Sequence, residues 1–158
     1  MRYVRRVLQP GETIVYATTL HWIVYLRTIL LLIICIILAG AAVSTSNNQN
    51  LSLALGIAAV IFLLLGLSAG LSAFIRRAAT ELAVTNHRVI YKSGLLSRHT
   101  IEMNRDKVES VDVDQSLLGR IFGYGTVIVR GTGGSLEPIG IVGDPLTFRS
   151  HITASPTT

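Results

Sequence analysis

Between Thr28 and Ile75 the chain carries no Asp, Glu, Lys or Arg. A domain folded in water solvates its surface, and about a quarter of its residues are ordinarily charged. So long a neutral stretch belongs in hydrocarbon. Its first part, "TILLLIICIILAGAAV" (Thr28 to Val43), falls short of the roughly 20 residues that cross a bilayer core. Extending it back through "WIVYLR" gives a span over 23–43. That extension places Arg27 where its stem can snorkel to the headgroups, and it leaves Trp22 and Tyr25 at the interface, where aromatic side chains collect. The second part, 51–75, is long enough alone, with room for tilt. Between them "STSNNQN" (44–50) is polar and uncharged, as expected for the turn of a transmembrane helical hairpin over 23–75.

A cleaved signal peptide is the competing reading of the first span. It is set aside because the apolar run starts late and a second span follows directly. Arg2, Arg5, Arg6 and Arg27 flank the first span, Arg76 and Arg77 follow the second, and the connecting loop has no basic residue. The positive-inside rule then puts both termini in the cytoplasm. Gly66 and Gly70 form a GxxxG pair, which can dimerise helices or pack the second span on the first; packing within the chain is the simpler use. Cys35, the single cysteine, can form no internal disulfide. Its apolar neighbours mark it as a lipid-facing or helix-packing residue.

After Arg77 the pattern changes to short runs of period two. "ELAVT" and "HRVIYKSG" are rich in β-branched and aromatic residues, as strands prefer. "KSGLLSR" reads as a hairpin turn on Gly94, followed by "LLSRHTIEM" and "KVESVDVDQ". In the last of these Val111 and Val113 alternate with Asp112 and Asp114, one face in the core and one in water. "SLLGRIFG" breaks the alternation: Ser116 is a candidate N-cap, Leu117, Leu118, Ile121 and Phe122 recur at helical spacing, and Gly123 ends the helix. "TVIVRG" and "LEPIGIV" are further strands. "DPLTFRSHI" places Asp144 at an N-cap and Pro145 at the first helical position, with Phe148 and Ile152 on the face that docks on the sheet.

Leu117 to Ser135 holds six glycines, which raises the question of a phosphate-binding loop. A Walker-type loop needs a Lys and a hydroxyl after its glycines, but Leu136 and Glu137 follow "GTGGS". A dinucleotide fingerprint needs a helix after the glycines, and here strands stand on both sides. Gly133 and Gly134 suit a hairpin turn, while Gly123 and Gly125 suit a helix exit and a strand entry. The glycines bend the chain.

The segments "VTNHRVIYKSGLLS", "VESVDVDQSLLGRIFGYGTV" and "GTGG", with the opening "LQPGETIVYATTLHW", resemble the bacterial membrane-associated pleckstrin-homology (PH)-like family. Its members pair an N-terminal transmembrane hairpin with a PH-like domain. The resemblance implies a mainly-β, PH-like open barrel over 78–153, with a short connecting helix and a C-terminal capping helix. It also implies that the cytoplasmic segment 1–22, through "ETIVYAT", lends a strand to the sheet, and that the protein sits in the bacterial cytoplasmic (inner) membrane. Residues 154–158 are expected to fray.

No catalytic residue, metal ligand or cofactor is assigned. His21, His87, His99 and His151 lack the clustered spacing of zinc sites. Glu81, Glu102, Asp106, Glu109, Asp112 and Asp114 read as the solvated faces of strands. From Arg76 onward ten basic residues face eight acidic ones, too balanced for a nucleic-acid binder. Arg76, Arg77, Arg88, Lys92, Arg98, Arg105 and Lys107 are the candidates for membrane or ligand contact, since each basic residue at an inner leaflet is worth about 1 kcal/mol. The expected function is non-catalytic: a membrane-anchored platform on the cytoplasmic face for protein–protein assembly, with the bilayer and a second copy or another membrane protein as partners. The alternative is a module that binds an anionic lipid or small ligand at the inner leaflet.

Overall fold

The structure, a computed structural model, describes residues 2–95, 99–132 and 136–154. The chain divides into two compact units, Met1–Ile23 with Arg76–Thr158, and Val24–Ile75.

The second unit is built on two helices. Helix α1 (Arg2–Val7) belongs to the first unit; α2 (Leu26–Ser44) and α3 (Gln49–Ala79) follow, with a short 3-10 turn, Trp22–Tyr25, leading into α2. The turn between α2 and α3 is tighter than 44–50. Ser44 and Thr45 hydroxyls donate to the Gly40 and Ala41 carbonyls at 2.9 and 2.8 Å, and the Asn48 carboxamide oxygen accepts the Leu51 N–H at 3.3 Å. These polar residues finish and start the helices instead of looping out. The helices run antiparallel, with the Ser52 hydroxyl on the Ala42 carbonyl near the turn. At the far end a Cβ on Gly66 would lie 3.0 Å from Leu32, and one on Gly70 3.1 Å from Thr28. The glycine pair therefore serves packing within the chain. Both helices are long and apolar enough to cross a membrane: over 18 residues the mean hydropathy reaches 2.7 within Trp22–Ser44 and 2.5 within Gln49–Ala79.

In the first unit, strands β1 (Ile14–Thr18), β2 (Glu81–Thr85), β3 (Arg88–Ser93) and β4 (His99–Asn104) form one antiparallel sheet in that order. Strands β5 (Val108–Asp114), β6 (Tyr124–Gly131) and β7 (Leu136–Gly143) form a second. β1 joins across the long insertion, Tyr16 facing Val84 and Thr18 facing Leu82. Alternation sorts the residues of β2. Leu82 and Val84 enter a core shared with Val111, Val127, Ile139, Phe148 and Ile152, so both sheets and the C-terminal helix α5 (Pro145–Thr153) bury their apolar faces together. Ala83, with Ile90 of β3, points the other way, under Val4 of α1. Every residue of β2 is therefore buried.

Glycine is required where α4 (Leu117–Phe122) meets β6. The Ser116 hydroxyl accepts the Gly119 N–H at 3.1 Å, Gly123 closes the helix at φ +71°, and a Cβ on Gly119 would lie 2.6 Å from the Tyr124 carbonyl oxygen. At α5, Asp144 occupies the N-cap position and Pro145 the first turn, but the Asp144 side chain makes no capping bond. Its backbone stands at φ +50° with its N–H on the Gly123 carbonyl at 2.9 Å, which aims the side chain away from the helix start. The turn glycines Gly133 and Gly134 lie outside the described residues.

Candidate interaction surface

Among the described candidate basic residues, Arg88, Arg105 and Lys92 have their donors engaged by the protein's own groups. Arg88 lies beside the turn between β2 and β3, where its guanidinium meets the buried Glu12 carboxylate at 2.9 Å, Glu102 at 2.6 Å and the Val7 carbonyl at 2.6 Å. Glu12 also accepts the Gln9 N–H at 2.8 Å and the Thr85 hydroxyl at 2.7 Å. Burial by itself pushes the Glu12 carboxyl up. The bonds from Arg88, Gln9 and Thr85, together with the Arg88 charge, outweigh it and hold the group at about 2. The Glu12 hydrogen bond first, then the charges of Glu102 and Glu12, push the Arg88 guanidinium up against the effect of its burial. Arg105 caps the C-terminus of α5, donating to the carbonyls of His151 (3.1 Å), Ile152 (3.2 Å) and Ala154. There its cation meets the negative end of the helix dipole. Lys92 reaches the Ala79 carbonyl at the end of α3, at 2.9 Å.

Arg76 and Arg77 lie in the last turn of α3, Arg76 exposed, and Lys107 is exposed in the 3-10 turn between β4 and β5. Arg98 lies outside the described residues. The structure thus scatters the six described candidates across a helix end, a 3-10 turn, a buried ion pair and two carbonyl clamps.

One acidic residue departs from its expected place. Glu81, read as solvated, is buried, and its carboxylate accepts the Tyr3 and Val4 N–H groups at 3.1 Å. The amides come from the first turn of α1, where the free N–H groups of a helix favour an anion. Helix α1 itself has no capping signal in its six residues, and no local pattern marks Glu12, whose partner Arg88 lies 76 positions away.

Two further features define the surface. β4 pairs with β3 on one side, and among the described residues no strand lies on its other side. An open cleft of about 410 Å³ lies at the β5–α4 corner, lined by Asp114, Gln115, Ser116, Tyr124, Thr126 and Ile141. Among the described residues its only charged lining residue is an acid, Asp114, which suits an anionic ligand poorly. Ile141 stands at φ +56° in a bulge of β7, a conformation rare for a β-branched residue and costing about 1–3 kcal/mol. The bulge presents the Ile141 carbonyl to the His21 N–H at 2.8 Å, beside the Leu20–Val142 bridge. Burial first, then the Arg77 charge, push the His21 imidazole below its usual value, so it stays neutral near neutral pH.

Two antiparallel sheets with a helix packed on their shared core make a small, mainly-β domain. The chain belongs to the bacterial PH domain family, whose model matches residues 14–152. PH domains are generally non-catalytic modules that bind lipids or proteins. No curated protein and no solved structure matches the chain.

Proposed function

We propose that the protein is a membrane-anchored PH-like module that serves as a protein-assembly platform on the cytoplasmic face of a bacterial inner membrane. In this reading α2 and α3 form the transmembrane hairpin, both termini are cytoplasmic, and the two sheets are the walls of a small open barrel that α5 plugs. The observation that carries it is the outer edge of β4, which pairs with no further strand among the described residues. An unpaired edge presents a row of backbone donors and acceptors, and an incoming strand binds it by adding to the sheet. Tethering to a bilayer raises the local concentration of such a contact and multiplies weak affinity. The partner is a second copy or another membrane protein.

The headgroup-binding alternative draws less support, since Arg88, Lys92 and Arg105 are engaged internally. It retains the exposed Arg76 and Lys107. A photo-crosslinking residue in place of Thr100, in β4 of the full-length chain in native membranes, separates the two. Discrete protein adducts are expected. Lipid adducts alone, together with vesicle binding that weakens as salt rises, would replace the platform with the lipid module.

A further inference from the structure

Helix α4 is turned inside out. A short helix on a folded domain ordinarily buries its apolar side chains. Here the buried member of α4 is Gly119, held against the Tyr124 carbonyl, while Leu117 is 79 % exposed, Ile121 74 % and Leu118 58 %. Phe122 and Leu146 are also exposed. Ser116 and Gly123 fix both ends of the helix, so this orientation is built into the fold.

What covers the knob follows from Trp22. The Trp22 and Phe122 rings meet edge to face, 6.1 Å between centroids at 90°. Trp22 is also the first residue of the apolar span Trp22–Ser44, and tryptophan at such a position rests at the headgroup level. The neighbouring His21 feels the charge of Arg77, in the last turn of the second apolar helix. Trp22, His21, Arg77 and α4 all belong to the same compact unit. Trp22, where the chain enters the first apolar helix, therefore lies against α4, and Arg120 adds an exposed cation to that helix.

From this we infer that α4 is a third membrane contact. Its apolar knob embeds at the boundary between headgroups and acyl chains, as the apolar face of an interfacial helix does, and Arg120 faces the anionic headgroups. This surface is separate from the β4 edge, though the inference rests on the membrane-anchor reading.

The test uses the full-length chain in a Cys35→Ser background, reconstituted in vesicles of phosphatidylcholine and phosphatidylglycerol. Nitroxide labels are placed singly by Ile121→Cys in α4, Ile37→Cys in α2 and Glu109→Cys in β5, all exposed positions. Collision with oxygen, which concentrates in lipid, is compared with collision with a water-soluble nickel chelate. The expected result is that position 121 behaves like 37, its nickel accessibility several-fold below that of 109. If 121 matches 109 while 37 reads as lipid, the inference is overturned and the anchor stands. Shielding of 121 from both reagents overturns it in favour of a protein contact. If 37 itself is open to nickel, the anchor reading fails and the inference falls with it.

Discussion

Replacing Glu12 with glutamine tests whether the Glu12–Arg88 pair holds the N-terminal segment on the sheet. The amide keeps the shape and removes the charge. Lowering a carboxyl from 4.5 to about 2 corresponds to about 3 kcal/mol of folding free energy at neutral pH. Removing one partner of a buried pair costs about 3–5 kcal/mol. Glu102 and the Val7 carbonyl remain on Arg88, so a loss near the lower end, about 3 kcal/mol, is expected. The folded carboxyl titrates below the unfolded one, so its contribution is complete above pH 4.5 and drains as pH falls toward about 2. Wild type and Glu12→Gln should therefore differ most at neutral pH and converge in acid. The assay is chemical unfolding of the full-length chain in mild detergent, followed by hydrogen exchange of the β2–β3 segment over that pH window. Adding Arg88→Met to Glu12→Gln should recover stability, because the uncompensated charge goes with it. A difference that stays constant from pH 4.5 down to about 2, or a loss at neutral pH below about 1 kcal/mol, would refute the reasoning.

Gly119→Ala puts a methyl 2.6 Å from the Tyr124 carbonyl oxygen; a loss of about 1–3 kcal/mol is expected from such overpacking, read as a lowered unfolding midpoint. Arg105→Ala releases the α5 carbonyls and should cost about 1–3 kcal/mol, with faster amide exchange confined at first to α5. Arg105→Lys should rescue it poorly, since an ammonium lacks the planar fork. Gly66→Ile drives a branched side chain into Leu32, so the thermal midpoint in detergent should fall while the unfolding of the sheets is unchanged.

Legibility from sequence followed the range of the interactions. Period-two alternation marked β5 through Val111 and Val113, because a strand's faces are set by neighbouring residues. The same holds for Ser116 and Gly123 around α4, whose capping bonds span only a few positions. Asp144 shows the limit: the position was legible, but its backbone took the left-handed region and withdrew the side chain. Helix α1 is held by Val4 under β2 and by Glu81, 77 positions on, so no local pattern announces it. Glu81 looked solvated because its neighbours alternate, while α1 covers that face of the sheet. The apolar spacing in α4 was visible, but only the contact of Gly119 with Tyr124 reveals that those side chains face outward.

The most direct test of the whole account is alkaline carbonate extraction of membranes that carry the full-length chain. Two spans as apolar as Trp22–Ser44 and Gln49–Ala79 should keep it wholly in the lipid pellet until detergent is added. Release into the aqueous supernatant as a compact monomer would contradict the account.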